Sequence, residues 1–521
     1  MGAGMAFLGA APGLPAAIRF NVAADPATLN PLFARADASS VDQQLARLVF
    51  EPFVEIDERG RAIPQLLREI PSVVNGGLSR DGRTIVYRLR PGVRWSDGVP
   101  VDAADVVFTV RAILDDRNPV RSRAGYELIE RAEARDAHTV VFHLKRAWAP
   151  AVATFFSYGV APQYVLPAHL LARTGLEHSS FNDHPVGDGP YMFAAWRRGE
   201  RLRYAPNPRY WKGRPASDLE VGIVPDPATN LTLLQSGNLD WNLIAPAQVP
   251  VVAGYPNLRF RSVPLALVAG LALNTRRAPL DDVGVRRALA AAIDRTAISR
   301  KITLGRYPVV DTAQPLGSWA RDPGAREPAY DPAWADRRLD AAGWVRGPSG
   351  IRVKNGHALS LVYVQFPETR TGVAVATFVQ SELRERGIDV TIKSVANAQL
   401  FMPGAGVLAT GNFDLAYVPW QMGADPDDSA LFTCDGIANY SGWCDPSVDA
   451  LERKALSTVE IGARRRLYAR IERAVAASVP IVFLFNPAYV YAYDRRLNGF
   501  APSPFSPTWN AAGWRRTSPA S

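Results

Sequence analysis

Residues 84 to 114, TIVYRLRPGVRWSDGVPVDAADVVFTVRAIL, constrain the fold most, because two different periodicities stand side by side in them. Ile85, Tyr87 and Leu89 alternate with Val86, Arg88 and Arg90, the period-two pattern of a half-buried strand. Pro91-Gly92 and Ser96-Asp97-Gly98 mark turns. Asp102 followed three residues later by Asp105 predicts a capped helix start. Behind it, Val106, Val107, Val110, Ile113 and Leu114 fall on one helical stripe. A strand, two turns and an amphipathic helix must therefore pack together.

Comparable units recur along the chain. HTVVFHL (138–144), IDVTI (388–392) and FDLAYV (413–418) read as strands, and VPIVFLF (479–485) as a strand buried on both faces. VGVRRALAAAID (283–294), behind Asp281-Asp282, and VATFVQSELRERG (375–387) read as helices. Mixed strands and helices throughout predict an α/β architecture. With 521 residues and about 150 per domain, two to four domains are expected. The 42 prolines are dispersed and no repeat or low-complexity linker separates the units, so the domains are joined tightly, by more than one crossing.

A net charge of +9 raises the question of nucleic acid, but the arginines are scattered among acids. In the densest run, Arg464 to Arg473, Leu467 and Ile471, followed by Val475, recur every four residues. This reads as an amphipathic helix with a solvated basic face, and no nucleic-acid partner is expected. No stretch reaches the roughly 18–20 apolar residues of a membrane span. The opening MGAGMAFLGAAPGLPAAIRF has no Lys or Arg before Arg19, so residues 1–17 are expected to be a residual signal segment or a disordered end. The two cysteines, Cys434 and Cys444, suit a disulfide closing a short loop, with two buried thiols as the alternative. A disulfide implies an oxidising compartment and contributes about 3 kcal/mol on the chain-entropy model.

Signals for catalysis are weak. The six histidines make no His-Glu-x-x-His, and there is no Gly-x-Ser-x-Gly elbow and no Walker loop. His178, His184 and Asp183 share a polar loop, where histidines are ordinarily solvated. PWQMGADPDDSALF (419–432) places Asp425, Asp427 and Asp428 just past a tryptophan. Those carboxylates could hold a metal, do acid–base work, grip a ligand amine or form a turn. They lack the spacing and central glycine of a calcium loop. An enzyme, such as a carboxylate-dependent hydrolase, is therefore the weaker class, and no cofactor and no metal are expected.

Several long segments resemble one family in its own order. RTIVYRLRPGVRWSDGVPVDAADVVFTVRAILD closely resembles a signature of the family 5 extracytoplasmic solute-binding proteins, which serve peptide, dipeptide and nickel ABC importers. ADPATLNPLF (24–33), PVGDGPYMFAAWRRGERLRYAPNPRYWKG (185–213), GLALNTRRAPLDDVGVRRALAAAIDR (270–295) and NYSGWCDPSVDAL (439–451) are similar to later and earlier parts of the same pattern. The resemblance implies the two-lobed type II periplasmic-binding-protein fold. Lobe one would be residues 18–264 plus 486–521, with an extra subdomain at about 56–175, and lobe two 265–485. It further implies a secreted, periplasmic monomer that captures a peptide or small molecule between its lobes and delivers it to an ABC permease.

The same resemblance supplies candidate ligand-binding residues. ADASS (36–40) resembles one backbone-pairing segment, giving Asp37, Ala38 and Ser39; Trp420, Gln421 and Met422 match the other. Tyr158 and Asn274 occupy family positions at or near the cleft. Peptide binders usually place an aspartate for the ligand amine where this chain has Gly423; Asp425 is the next acid. Dipeptide binders place an arginine for the carboxylate near Phe366, and Arg370 lies close by. Longer or blocked peptides, an opine, a sugar or a nickel chelate stay open as cargo.

Overall fold

The computed structural model describes residues 17–34, 40–157 and 162–517. Two large hydrophobic cores organise them. One is built from residues between Val268 and Phe485. The other combines residues from Ile18 to Val263 with a late group that includes Tyr491, Phe500 and Trp514.

The later core surrounds a five-stranded sheet in the order Asp389–Ser394, Ser360–Gln365, Leu415–Gln421, Leu267–Leu273, Ile481–Phe485. The first three strands run parallel, and Leu267–Leu273 is antiparallel to both its neighbours. Every residue of Ile481–Phe485 is buried, as its unbroken apolar run requires. Leu415–Gln421 extends three residues beyond its expected end and includes Pro419. Its parallel partner pairs only with Leu415 and Ala416, so the missing N–H of Pro419 breaks no ladder on that edge.

The earlier core contains a four-stranded sheet, ordered Ile18–Val22, Leu219–Ile223, Arg201–Pro206, Tyr191–Arg197. A second, antiparallel sheet places Ala488–Asp494 between Trp241–Ile244 and Leu258–Pro264. A late segment is thus the middle strand of an early sheet. Trp241 stacks on Phe20 with ring centroids 4.4 Å apart and on Phe500 at 5.0 Å, and Trp514 closes the cluster.

Local rules written in the sequence hold closely. Thr84–Arg88 is a strand with Ile85 and Tyr87 fully buried between half-buried neighbours. The helix Ala103–Leu114 begins with the expected reciprocal cap: the Asp102 carboxylate accepts from the N–H groups of Ala104 and Asp105, and Asp105 accepts from the N–H of Asp102. Such a cap contributes about 1 kcal/mol. The helix expected from residue 375 starts at Arg370, because the Thr369 hydroxyl caps it through the N–H of Gly372. Its first turn is polar and so gave no apolar period.

Cys434 and Cys444 form a disulfide that closes a short loop. Ile437 lies within that loop, 92% exposed. Among the described residues, no helix is long and apolar enough to cross a membrane.

Candidate functional site

The stretch from Pro419 to Phe432 begins as the end of a core strand. Trp420 faces inward opposite Val268, 4% exposed, and its indole N–H has no partner among the described residues. The Gln421 amide donates to the carbonyls of Ala266 and Met422, both at 3.1 Å. The N–H of Met422 donates to the same Ala266 carbonyl at 2.8 Å. Pairing stops there.

The three carboxylates then turn into the protein. Asp425 makes a two-pronged ion pair with Arg464, at 2.7 and 2.6 Å. Arg464 also donates to the Ala455 carbonyl and the Tyr468 hydroxyl, with the rings of Trp319 and Tyr468 near its guanidinium. Burial works against the charge on Arg464, but the bond to Asp425 more than offsets it and its pKa is raised. The basic face expected to be solvated therefore has a buried member, while Arg465, Arg466, Arg470 and Arg473 are exposed.

Asp427 accepts from the N–H and the hydroxyl of Ser429, as a turn-forming aspartate does. Asp428 is fully buried and accepts from the Gln314 amide at 2.9 Å. Desolvation pushes its pKa up, and Glu452, buried beside it, is pushed up by desolvation and then by the Asp428 charge. Burial likewise raises Glu472, to about 8. The answer for this run is a turn and a buried acidic cluster.

What remains of the stretch lines a cavity. Met422, Gly423, Ala424 and Pro426 form one wall of a space of about 220 Å³, with Gln314–Trp319 beside them. The chain crossing Val263–Ala266, the hairpin around Ile56 and Glu58–Gly60, and Pro504-Phe505 complete it. A smaller cavity shares Leu265, Pro504 and Phe505 with it and adds Gln421, Tyr489 and Tyr491. Those two tyrosines also line a third space of about 260 Å³, walled by Asn21 and Val22 at the end of the strand Ile18–Val22 and by Trp241 and Asn242 of the antiparallel sheet. The first two share walls and form a trough between the cores, while the third lies on the earlier core's side and meets it at Tyr489 and Tyr491.

The sequence candidates divide accordingly. Gln421, Met422 and Gly423 line the trough. Trp420 and Asp425 sit behind its wall. Asn274 is buried and donates to the carbonyls of Gly411 and Phe413, satisfying local backbone. Phe366 packs edge-on to Phe401 inside the later core. Arg370 is exposed in the first turn of its helix. Asp37, Ala38, Ser39 and Tyr158 lie outside the described residues. Sequence reading missed Phe505, Trp319, Tyr489 and Tyr491; only the last two left a signal, as aromatics two apart on a strand and hence on one face.

The model of the middle region of the bacterial extracellular solute-binding proteins, family 5, matches residues 64–441. Protein XP55 of Streptomyces lividans is 31% identical over 495 residues, covering 92% of this chain and 85% of its own. The chain belongs to family 5 of the bacterial extracellular solute-binding proteins. Family 5 proteins bind small-molecule or peptide ligands and work with ABC permeases; no enzymatic family is indicated. The oligopeptide-binding protein AppA of Bacillus subtilis is 24% identical over 504 residues, 94% of this chain and 90% of AppA. Its structure with a nonapeptide superposes with a TM-score of 0.76 at 22% identity, covering 98% and 100% of the two chains. NikZ of Campylobacter jejuni, solved with Ni(L-His), gives 0.78 at 24% identity, covering 97% and 100%. The fold is accordingly the two-lobed α/β fold of family 5.

Proposed function

We propose that this chain captures peptides between two lobes and delivers them to a membrane ABC permease. Lobe one is taken as residues 18–264 plus 486–521, with a subdomain at about 56–175, and lobe two as 265–485. Closure on a ligand would shift an open–closed equilibrium, and the closed form would be what the permease reads. A periplasmic monomer fits that role.

One observation carries the peptide reading. Gly423 and Ala424 line the trough directly after a paired strand, yet their backbone groups bond to no described residue. Unpaired donors and acceptors next to a strand end suit an added ligand strand, a mode that tolerates many side chains. Gln421 and Met422 would hold this edge in place, and Asp37, Ala38, Ser39 and Tyr158 are its proposed partners from lobe one. AppA, an oligopeptide-binding protein by name, supports the same class.

The test is native mass spectrometry of protein purified without denaturation, then calorimetry with the compound found. Co-purifying peptides are the expected result. A single non-peptide compound would overturn the reading and leave the family assignment intact.

A further inference from the structure

We infer that the lobe-two wall of the trough takes an uncharged, apolar part of the ligand and gives no counter-ion to a free ammonium group. The chain would then favour apolar peptides whether or not their amino terminus is blocked. This inference rests on the peptide reading above.

The wall is made of Leu316, Trp319, Met422, Gly423, Ala424 and Pro426, none of which carries a charge. Three carboxylates stand in the same stretch, yet none of them lines the cavity. Asp425 is spent on Arg464, Asp427 on Ser429 and Asp428 on Gln314. Gln314 itself lines the cavity, but its amide N–H groups go to the Pro426 carbonyl and to Asp428, and its oxygen accepts from Ser318. An ammonium group brought here would lose water and gain no partner of opposite charge, which is costly. An apolar side chain would gain contact with Trp319 and Met422 instead.

Among the described residues, the charged ones at this cavity are Glu58 and Arg59, on the facing hairpin. They pair with each other at 3.6 Å, and the Arg59 side chain is 71% exposed. The Glu58 side chain is 25% exposed, so the one described carboxylate at the cavity belongs to the facing hairpin and not to this wall, and it is paired with Arg59.

The experiment is calorimetry on the full chain with three probes. The first is a tetrapeptide of alanine, leucine and phenylalanine with a free amino terminus. The second is its N-acetylated form, and the third has lysine in place of phenylalanine. The acetylated peptide is expected to bind at least as tightly as the free one, and the lysine peptide about tenfold more weakly or worse. Tenfold tighter binding of the free form would overturn the inference and leave the peptide reading standing. Binding of none of the three would remove the peptide reading, and the inference with it. Ala424→Asp, which adds a carboxylate to the wall, should shift preference toward the free amine; Glu58→Gln should not change it. Loss of free-amine binding in Glu58→Gln would place the anchor on lobe one and overturn the inference. The wild-type comparison decides the matter even if Ala424→Asp fails to fold.

Discussion

The backbone N–H of Ala149 donates to the carbonyl of Leu456 at 2.7 Å, tying an early segment of the chain to a late one by a bond outside the trough. Beside it, Gly82 packs against Val459 and Ala147 in a left-handed conformation, φ +67°. A Cβ on Gly82 would meet Val459 Cγ1 at 2.8 Å. Gly82→Ala should therefore part this contact, adding about 1 kcal/mol of backbone strain as well. The expected result is a wider average separation of the lobes in solution scattering and weaker ligand binding. An unchanged radius of gyration with unchanged affinity would show that the contact is incidental.

The ion pair of Asp425 with Arg464 is a stability element in this structure, and it makes a clean mutational prediction. Removing one partner of a buried pair strands the other, at a cost of about 3–5 kcal/mol. Asp425→Asn should lower the denaturant midpoint accordingly, while the folded fraction binds ligand as before. The reverse pattern, intact stability with binding lost, would mark Asp425 as a ligand anchor after all.

The buried acids around Asp428 set a pH dependence with a definite sign. Burial raises Glu472 to about 8, and raises Asp428 and Glu452 as well. In the unfolded chain these groups titrate near about 4. Between those limits the folded state binds more protons than the unfolded one, so stability falls as pH rises. The contribution is fully favourable below about pH 4 and is lost as pH climbs toward about 8. Each group contributes at most about 1.4 kcal/mol per pH unit. Thermal melts from pH 5 to pH 8.5 should show the decline, to which buried Asp188 and Glu327, also raised to about 8, add, and Asp428→Asn should lessen it. A melting temperature that rises across this window would contradict the assignment.

Reducing the disulfide should also be measurable. Cys434→Ser with Cys444→Ser should cost about 2–4 kcal/mol, since the loop loses its covalent closure. Chemical denaturation of the variant against the oxidised parent checks this, and equal midpoints would refute it.

What could be read beforehand depended on how far apart in sequence the deciding contacts lie. The strand at Thr84–Arg88, the Asp102 cap and the buried run Ile481–Phe485 are set by neighbours within a few residues, and each was legible. The helix at Arg370 began earlier than its apolar pattern because a hydroxyl, not burial, starts it. Arg464 looked like its exposed neighbours, and only the approach of the distant Asp425 gives it a buried partner. The trough was hidden for the same reason. Ile56, Leu265, Trp319, Met422 and Phe505 meet only when the two lobes are in place, and no local period announces it.

The strand Ala488–Asp494 has a consequence for how the molecule is made. It is the middle strand of a lobe-one sheet, and Trp514 lies in the same core. During synthesis, the partners Trp241–Ile244 and Leu258–Pro264 leave the ribosome with their centre missing and must wait while residues 265–487 are translated. That sheet is completed late, so a nascent molecule has exposed strand edges while residues 265–487 are made. A holding chaperone would have its longest task there, on the half of the protein that is made first.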